Sequence, residues 1–159
     1  MNDSTTLLGH FDRRLTDSLY VEAMVLADEA RSFFDGEGEA QRAALAEMDR
    51  ITFACESLKV TTRLMHVIAW LLAQRAIFNG ELAESVRGEE CFQLGEAAQT
   101  SAAIAQRFSP DMAGLIRGSE DLYQRVARLE RQLVRRLRRH APAPSSPARA
   151  LLDRLERAF

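Results

Sequence analysis

All four prolines of this chain, Pro110, Pro142, Pro144 and Pro147, lie in its last third. Proline breaks helices because it lacks the amide donor and its ring strikes the preceding turn. The first 109 residues are therefore free to run as long helices, stopped only where glycine permits. Gly36 and Gly38 give one stop, beside Asp35 and Glu37. Asn79-Gly80 gives a second, since either residue can take the left-handed turn that closes a helix. Ser109-Pro110-Asp111 is a start signal: a hydroxyl for the cap, proline at the first helical position, then a carboxylate at the positive dipole end.

Between these marks apolar residues recur at spacings of three and four, the period of a helix face. In the first segment they are Phe11, Leu15, Leu19, Ala23, Leu26, Ala30 and Phe33. In the second they are Ile51, Cys55, Leu58, Thr62, Met65, Ala69, Leu72 and Ala76, large positions alternating with small ones. A partner helix can seat its own large side chains against the small positions. In the third, Leu115, Leu122, Val126, Leu129, Leu133 and Leu137 keep nearly the same register, with Ser119 filling one slot. The spacing predicts an all-α fold: an antiparallel three-helix bundle with long helices over about 11–35, 41–79 and 111–140. Residues 81–109 keep no clean register, and short helical pieces over 81–88 and 97–108 are expected on the bundle's side or end. The bundle domain spans 1–140. A Pro/Ser linker follows at 141–147, and a short amphipathic tail at 148–159 places Leu151, Leu152, Leu155 and Phe159 at helical spacing. That tail is too short to hold a helix alone in water, so it is expected to be flexible until it docks into a groove.

From Leu64 to Phe78 the second predicted helix is apolar around most of its circumference, more than a three-helix bundle buries. The surplus must meet either the 81–109 segment or a symmetric partner, with Trp70 near the two-fold axis, so a homodimer is expected. Leu64, Ile68, Trp70 and Leu71 are the candidate core or dimer surface, with Arg63 and Arg75 at its polar edges.

Charge is distributed unevenly behind a net of −2: residues 1–56 carry 12 acidic and 5 basic side chains, residues 111–159 carry 6 and 11. The first and last helices should therefore attract one another. Arg125, Arg128, Arg131, Arg135, Arg136, Arg138 and Arg139 form a basic run able to track a phosphate backbone. It has only Tyr123 at its start for base stacking, so nucleic-acid binding is the alternative rather than the leading reading.

Chemistry finds little support. The histidines His10, His66 and His140 are scattered, and no metal-ligand spacing, phosphate loop or nucleophile elbow occurs. Glu89 and Glu90 adjoin Cys91 and would raise the pKa of its thiol, the wrong direction for a nucleophile. No catalytic residue, cofactor or metal is expected. With two cysteines, no signal-like N-terminus and an apolar run of only 64–73, a cytoplasmic protein outside the membrane is expected.

Three stretches together resemble one family: ESLKVTTRLMHVIAWLLAQRA over 56–76, FQLG over 92–95, and SEDLYQRVARLERQL over 119–133. Their order and spacing are similar to the RcdA family, the regulators of CtrA degradation in alphaproteobacteria, over roughly residues 11–137. The resemblance implies a dimeric three-helix bundle with mobile ends, acting as a non-catalytic adaptor. Proteins of this kind help deliver cell-cycle regulators, CtrA among them, to the protease ClpXP through ClpX. They act alongside the response-regulator-like CpdR and the effector PopA. The flexible end would bind the protease or a client. A structural scaffold without delivery activity is the remaining alternative.

Overall fold

A computed structural model describes residues 3–140. The expected linker at 141–147 and the tail at 148–159, with Leu151, Leu152, Leu155 and Phe159, lie outside the described residues. Five helices and no strand occur among the described residues. Helix α1 (Asp3–Asp35) starts well before the expected residue 11 and ends at the glycine stop. The expected 41–79 helix is divided into α2 (Glu37–Ala44) and α3 (Glu47–Phe78). Between them Leu45 and Ala46 are extended, and the Leu45 side chain packs against the core. Glu47 and Asp49 then supply negative charge at the positive end of α3.

Asn79 and Gly80 close α3 as the sequence indicates. Gly80 takes φ +77°, its N–H donates to Ile77 O at 3.0 Å, and the Glu81 N–H reaches back to Ala76 O at 2.9 Å. These are the two bonds of a Schellman motif, which satisfy carbonyls the helix leaves open. At the start of α5 (Pro110–His140), the Ser109 hydroxyl accepts from the Met112 N–H at 3.3 Å.

Cross-helix contacts fix the directions. Asp17 meets Arg75, Arg13 meets Asn79, and Phe34 meets Phe53, so α1 and α3 run antiparallel. Glu22 meets Arg125 and Asp12 meets Arg136, so α1 and α5 are antiparallel too. The charge asymmetry between the two ends of the sequence is realised in these last two pairs. By the same logic α3 and α5 are parallel: Arg63 touches Ser119, and Trp70 and Gln74 lie beside Leu133 and Val134. The expectation of antiparallel neighbours throughout is corrected at this pair.

Parallel neighbours require a long return, and residues 79–109 supply it. The chain leaves the C-terminal end of α3, makes two 3-10 turns (Glu84–Gly88 and Glu90–Phe92), and runs back extended. It reaches the N-terminal end of α3, where Arg107 pairs with Asp49 and Phe108 packs on Phe53. Only Ala102–Ala105 (α4) is α-helical within it, so a helix over 97–108 does not form. The reason is tertiary: 93–101 lies against α3 and α5 and gives its backbone polar groups to their side chains. Gly95 is part of this approach, because a Cβ there would stand 2.7 Å from the His66 ring.

The core is built from Leu19, Ala23 and Ala30 of α1, Phe53, Val60, Leu64, Val67, Trp70 and Leu71 of α3, and Ile116, Leu122, Val126, Leu129 and Leu133 of α5, among others. On α1 and α5 this matches the faces read from the sequence, except that Phe11 is exposed. On α3 it is the opposite face. The stripe from Ile51 to Leu72 points outward, and the inward stripe is Phe53, Glu56, Val60, Arg63, Val67, Trp70, Gln74 and Ile77.

Edge-to-face rings close one end of the bundle, Phe34 on Phe53 at 6.5 Å and Phe53 on Phe108 at 5.5 Å. Phe53 thereby joins α1, α3 and the end of the crossover. Phe53→Ala is expected to cost about 3–5 kcal/mol. Chemical denaturation checks this, and a cost near 1 kcal/mol would show that the joint is not central.

Candidate protein-interaction surfaces

The outward face of α3 is the most unusual surface among the described residues. Ile51 is 54% exposed, Leu58 68%, Met65 64% and Leu72 45%, one every seven residues. Cys55 and Ala69 between them are also exposed. At about 1.5 Å per residue the stripe runs for roughly 32 Å. Scattered apolar residues on a surface are ordinary, but a continuous stripe in heptad register is the pattern of a helix that pairs with another helix. α1 adds Val21, Met24 and Val25 to the exposed apolar set, and Met48 stands out near the start of α3.

The sequence places its candidate surface around Leu64, Ile68, Trp70 and Leu71. Leu64, Trp70 and Leu71 are buried within the single chain, and Ile68 is half-buried. They pack α3 on α1 and α5, so Trp70 is not available at a two-fold axis. Arg75 does lie at an edge: its Nε donates to Asp17 at 3.0 Å and its guanidinium stacks 4.5 Å above the Tyr20 ring, tying α3 to α1.

Arg63 is corrected most strongly. Far from a polar edge, it is 1% exposed and forms the hub of a buried network. Its Nη2 donates to Ala98 O at 2.7 Å, Thr100 Oγ1 at 2.9 Å and Glu120 Oε1 at 3.2 Å. Its Nε also donates to Ala98 O, and its Nη1 to Ser119 Oγ. Thr100 in turn donates its N–H to Glu120 at 2.6 Å and its hydroxyl to Glu56 Oε2 at 2.5 Å. Glu56 is 2% exposed and takes its second partner from Lys59 at 2.8 Å. Burial pushes the Arg63 pKa down, while Glu120 and Glu56 oppose that shift. The planar five-donor fork lets one side chain bind α5 and the crossover together.

Further along the crossover, the Leu94 N–H donates to Glu130 at 2.6 Å and the Tyr123 hydroxyl donates to Gly95 O at 2.9 Å. Burial raises the Tyr123 pKa, which keeps the hydroxyl a neutral donor. Arg87, within the first 3-10 turn, donates to Gln74 at 2.8 Å and Glu84 at 2.6 Å, with Phe78 facing its guanidinium at 4.9 Å. Sequence reasoning missed Glu56, Gln74, Arg87, Thr100 and Glu120, and treated Ser119 as a filler. One signal was present: Glu56, Arg63 and Gln74 fall at helical spacing with Val60, Val67 and Trp70. Polar residues on an otherwise apolar stripe mark buried hydrogen bonding rather than a solvent face.

Removing the hub takes a donor from one carboxylate, one carbonyl and two hydroxyls, and leaves the buried Glu56 and the half-buried Glu120 without their central cation. Arg63→Ala is expected to cost about 3–5 kcal/mol, as for other broken buried ion pairs. Arg63→Lys should recover little of it, since an ammonium cannot reach α5 and the crossover in one plane. Urea denaturation of both variants checks this, and a fully restored lysine variant would reduce the network to a charge effect.

The blocks ESLKVTTRLMHVIAWLLAQRA and SEDLYQRVARLERQL carry Glu56, Arg63, Ser119 and Glu120 of this network, and FQLG carries Leu94 and Gly95, which bond to Glu130 and Tyr123 of the third block. A search among curated proteins found no match. Among solved structures, the chain is similar to RcdA from Caulobacter crescentus, with 32% identity and a TM-score of 0.61, covering 75% of this chain and 90% of that one. The family described as a protein of unknown function, DUF1465, matches residues 9–159. Matched over nearly its whole length, and similar in sequence and fold to RcdA, the chain belongs to this family of RcdA-like proteins.

Proposed function

We propose that this protein is a non-catalytic adaptor in regulated proteolysis, one that delivers cell-cycle regulators of the CtrA kind to the ClpXP protease. The observation that carries this reading is the similarity to RcdA over three quarters of the chain. CpdR-like and PopA-like proteins and ClpX are the partners the family relationship suggests. The geometry supports a binding protein: the buried polar groups Glu56, Arg63 and Glu120 are engaged in holding the fold, and a long apolar stripe is left outside.

In this reading the outward stripe of α3 seats a second copy of the chain. Its large residues Ile51, Leu58, Met65 and Leu72 alternate with Cys55, Thr62, Ala69 and Ala76, so two copies across a two-fold axis can set large against small. The tail residues Leu151, Leu152, Leu155 and Phe159 are then free to engage the protease or client. The arginines of α5 are less suited to a nucleic-acid backbone than their number suggests. Arg125 is held by Glu22 and Asp121, and Arg136 by Asp12.

A reconstituted degradation assay with ClpXP, a CpdR-like protein and a client separates the parts. Leu58→Glu/Met65→Glu is expected to convert dimer to monomer in analytical ultracentrifugation without lowering the melting temperature of the monomer. A wild-type protein that sediments as a monomer at about 100 μM would remove the dimer. Leu152→Ala/Phe159→Ala is expected to slow client degradation severalfold at unchanged thermal stability, and unchanged degradation would remove the tail from the account. Duplex binding that weakens steeply with salt, with no effect on degradation, would favour the arginine helix instead.

A further inference from the structure

Where the first 3-10 turn lies against the last third of α5, the two leave a cavity of about 420 Å³. That volume falls in the range of small-molecule sites and is far larger than a structural water needs. Four arginines line it, Arg87, Arg131, Arg135 and Arg138, against a single acidic residue, Glu130. Glu130 is already engaged, accepting the Leu94 N–H at 2.6 Å.

Arg87 is the built part of the site. It is 5% exposed, with Nε held by Gln74 and Nη1 by Glu84, a residue outside the cavity lining. Its Nη2 is buried with no hydrogen-bond partner. A charged donor left in that state costs free energy, and an acceptor in the cavity reaches it only when the turn shifts to admit one. None of Arg131, Arg135 and Arg138 pairs with a carboxylate among the described residues; Arg135 donates only to the Arg131 carbonyl. Three like charges on successive turns of one helix repel, and an anion between them relieves this.

We propose that this cavity binds an organic diphosphate of nucleotide size. A diphosphate brings about three negative charges and several acceptor oxygens, which suits a lining of four arginines and one glutamate. Val134, Leu137 and Gly88 form an apolar wall on which the organic body would rest. The chain's own remaining residues do not supply this charge: 141–159 holds three arginines against Asp153 and Glu156. The site is independent of the adaptor reading, since it uses neither the outward stripe of α3 nor the tail.

Isothermal titration of the full chain with adenosine diphosphate, inorganic pyrophosphate and adenosine tests it. The diphosphate is expected to bind one per chain, pyrophosphate more weakly, and adenosine not at all. Arg131→Gln/Arg138→Gln alters only the cavity rim and is expected to lower affinity at least about tenfold at an unchanged melting temperature. Arg87→Lys should weaken binding as well. Absence of heat from both phosphates at millimolar concentration would overturn the proposal, as would affinity indifferent to the rim substitutions. Pyrophosphate binding as tightly as the nucleotide would overturn the role assigned to the apolar wall.

Discussion

A single buried guanidinium holds the parallel pair of helices in place. Arg63 projects from the inward stripe of α3 into the seam with α5, where a hydrophobic residue would have packed without direction. Instead it binds Ser119 and Glu120 on α5 and the Ala98 carbonyl and Thr100 on the returning chain. Such a group contributes little net stability compared with apolar packing, because taking it out of water is costly. What it adds is direction: the crossover has few backbone partners of its own between Gln93 and Ser101. Its course is set by the side chains that meet it: Glu130 at Leu94, Tyr123 at Gly95, and Glu56, Arg63 and Glu120 at Thr100.

This dependence explains what was legible in the sequence. Helix ends written in glycine, proline and capping residues were readable, because they are local: the Gly36 stop, the Gly80 turn and the Ser109 start all act where they stand. The α1 and α5 faces were readable because each carries one apolar stripe. α3 carries two, on opposite sides and both with spacings of three and four. The stripe interrupted only by the small Thr62, Ile51 to Ala76, is the one that faces out. The stripe interrupted by Glu56, Arg63 and Gln74 faces in. A count of apolar residues selects the wrong face, since it cannot see that Thr100, Glu120 and Arg87 arrive from far along the chain to satisfy those three.

The same duality links the fold to the candidate interaction surface. A core stripe that tolerates polar residues leaves α3 with apolar character to spare, and the outward face is where it lies. The family blocks coincide with this economy of contacts: residues 56–76 carry both stripes, 92–95 the glycine that meets His66, and 119–133 the α5 partners of Arg63. The signature thus spans the internal seam of the molecule together with Leu58, Met65 and Leu72 of the outward stripe. Met48, Val21 and Met24, also exposed, lie outside the three blocks.

The parallel arrangement of α3 and α5 also orders events in time. α1 and α3 are neighbours joined through a short helix, so their contacts close a modest loop. The contacts of Arg63 with Ser119 and Glu120 span 56 and 57 residues, and they form only when the crossover has been laid back along the whole of α3. α1 and α3 first meet where Phe34 packs on Phe53, close together in the sequence, so loop-closure entropy favours that hairpin as the earlier contact. Rate measurements on variants at Leu19 and Leu129 read that order directly, with the first slowing folding and the second chiefly speeding unfolding.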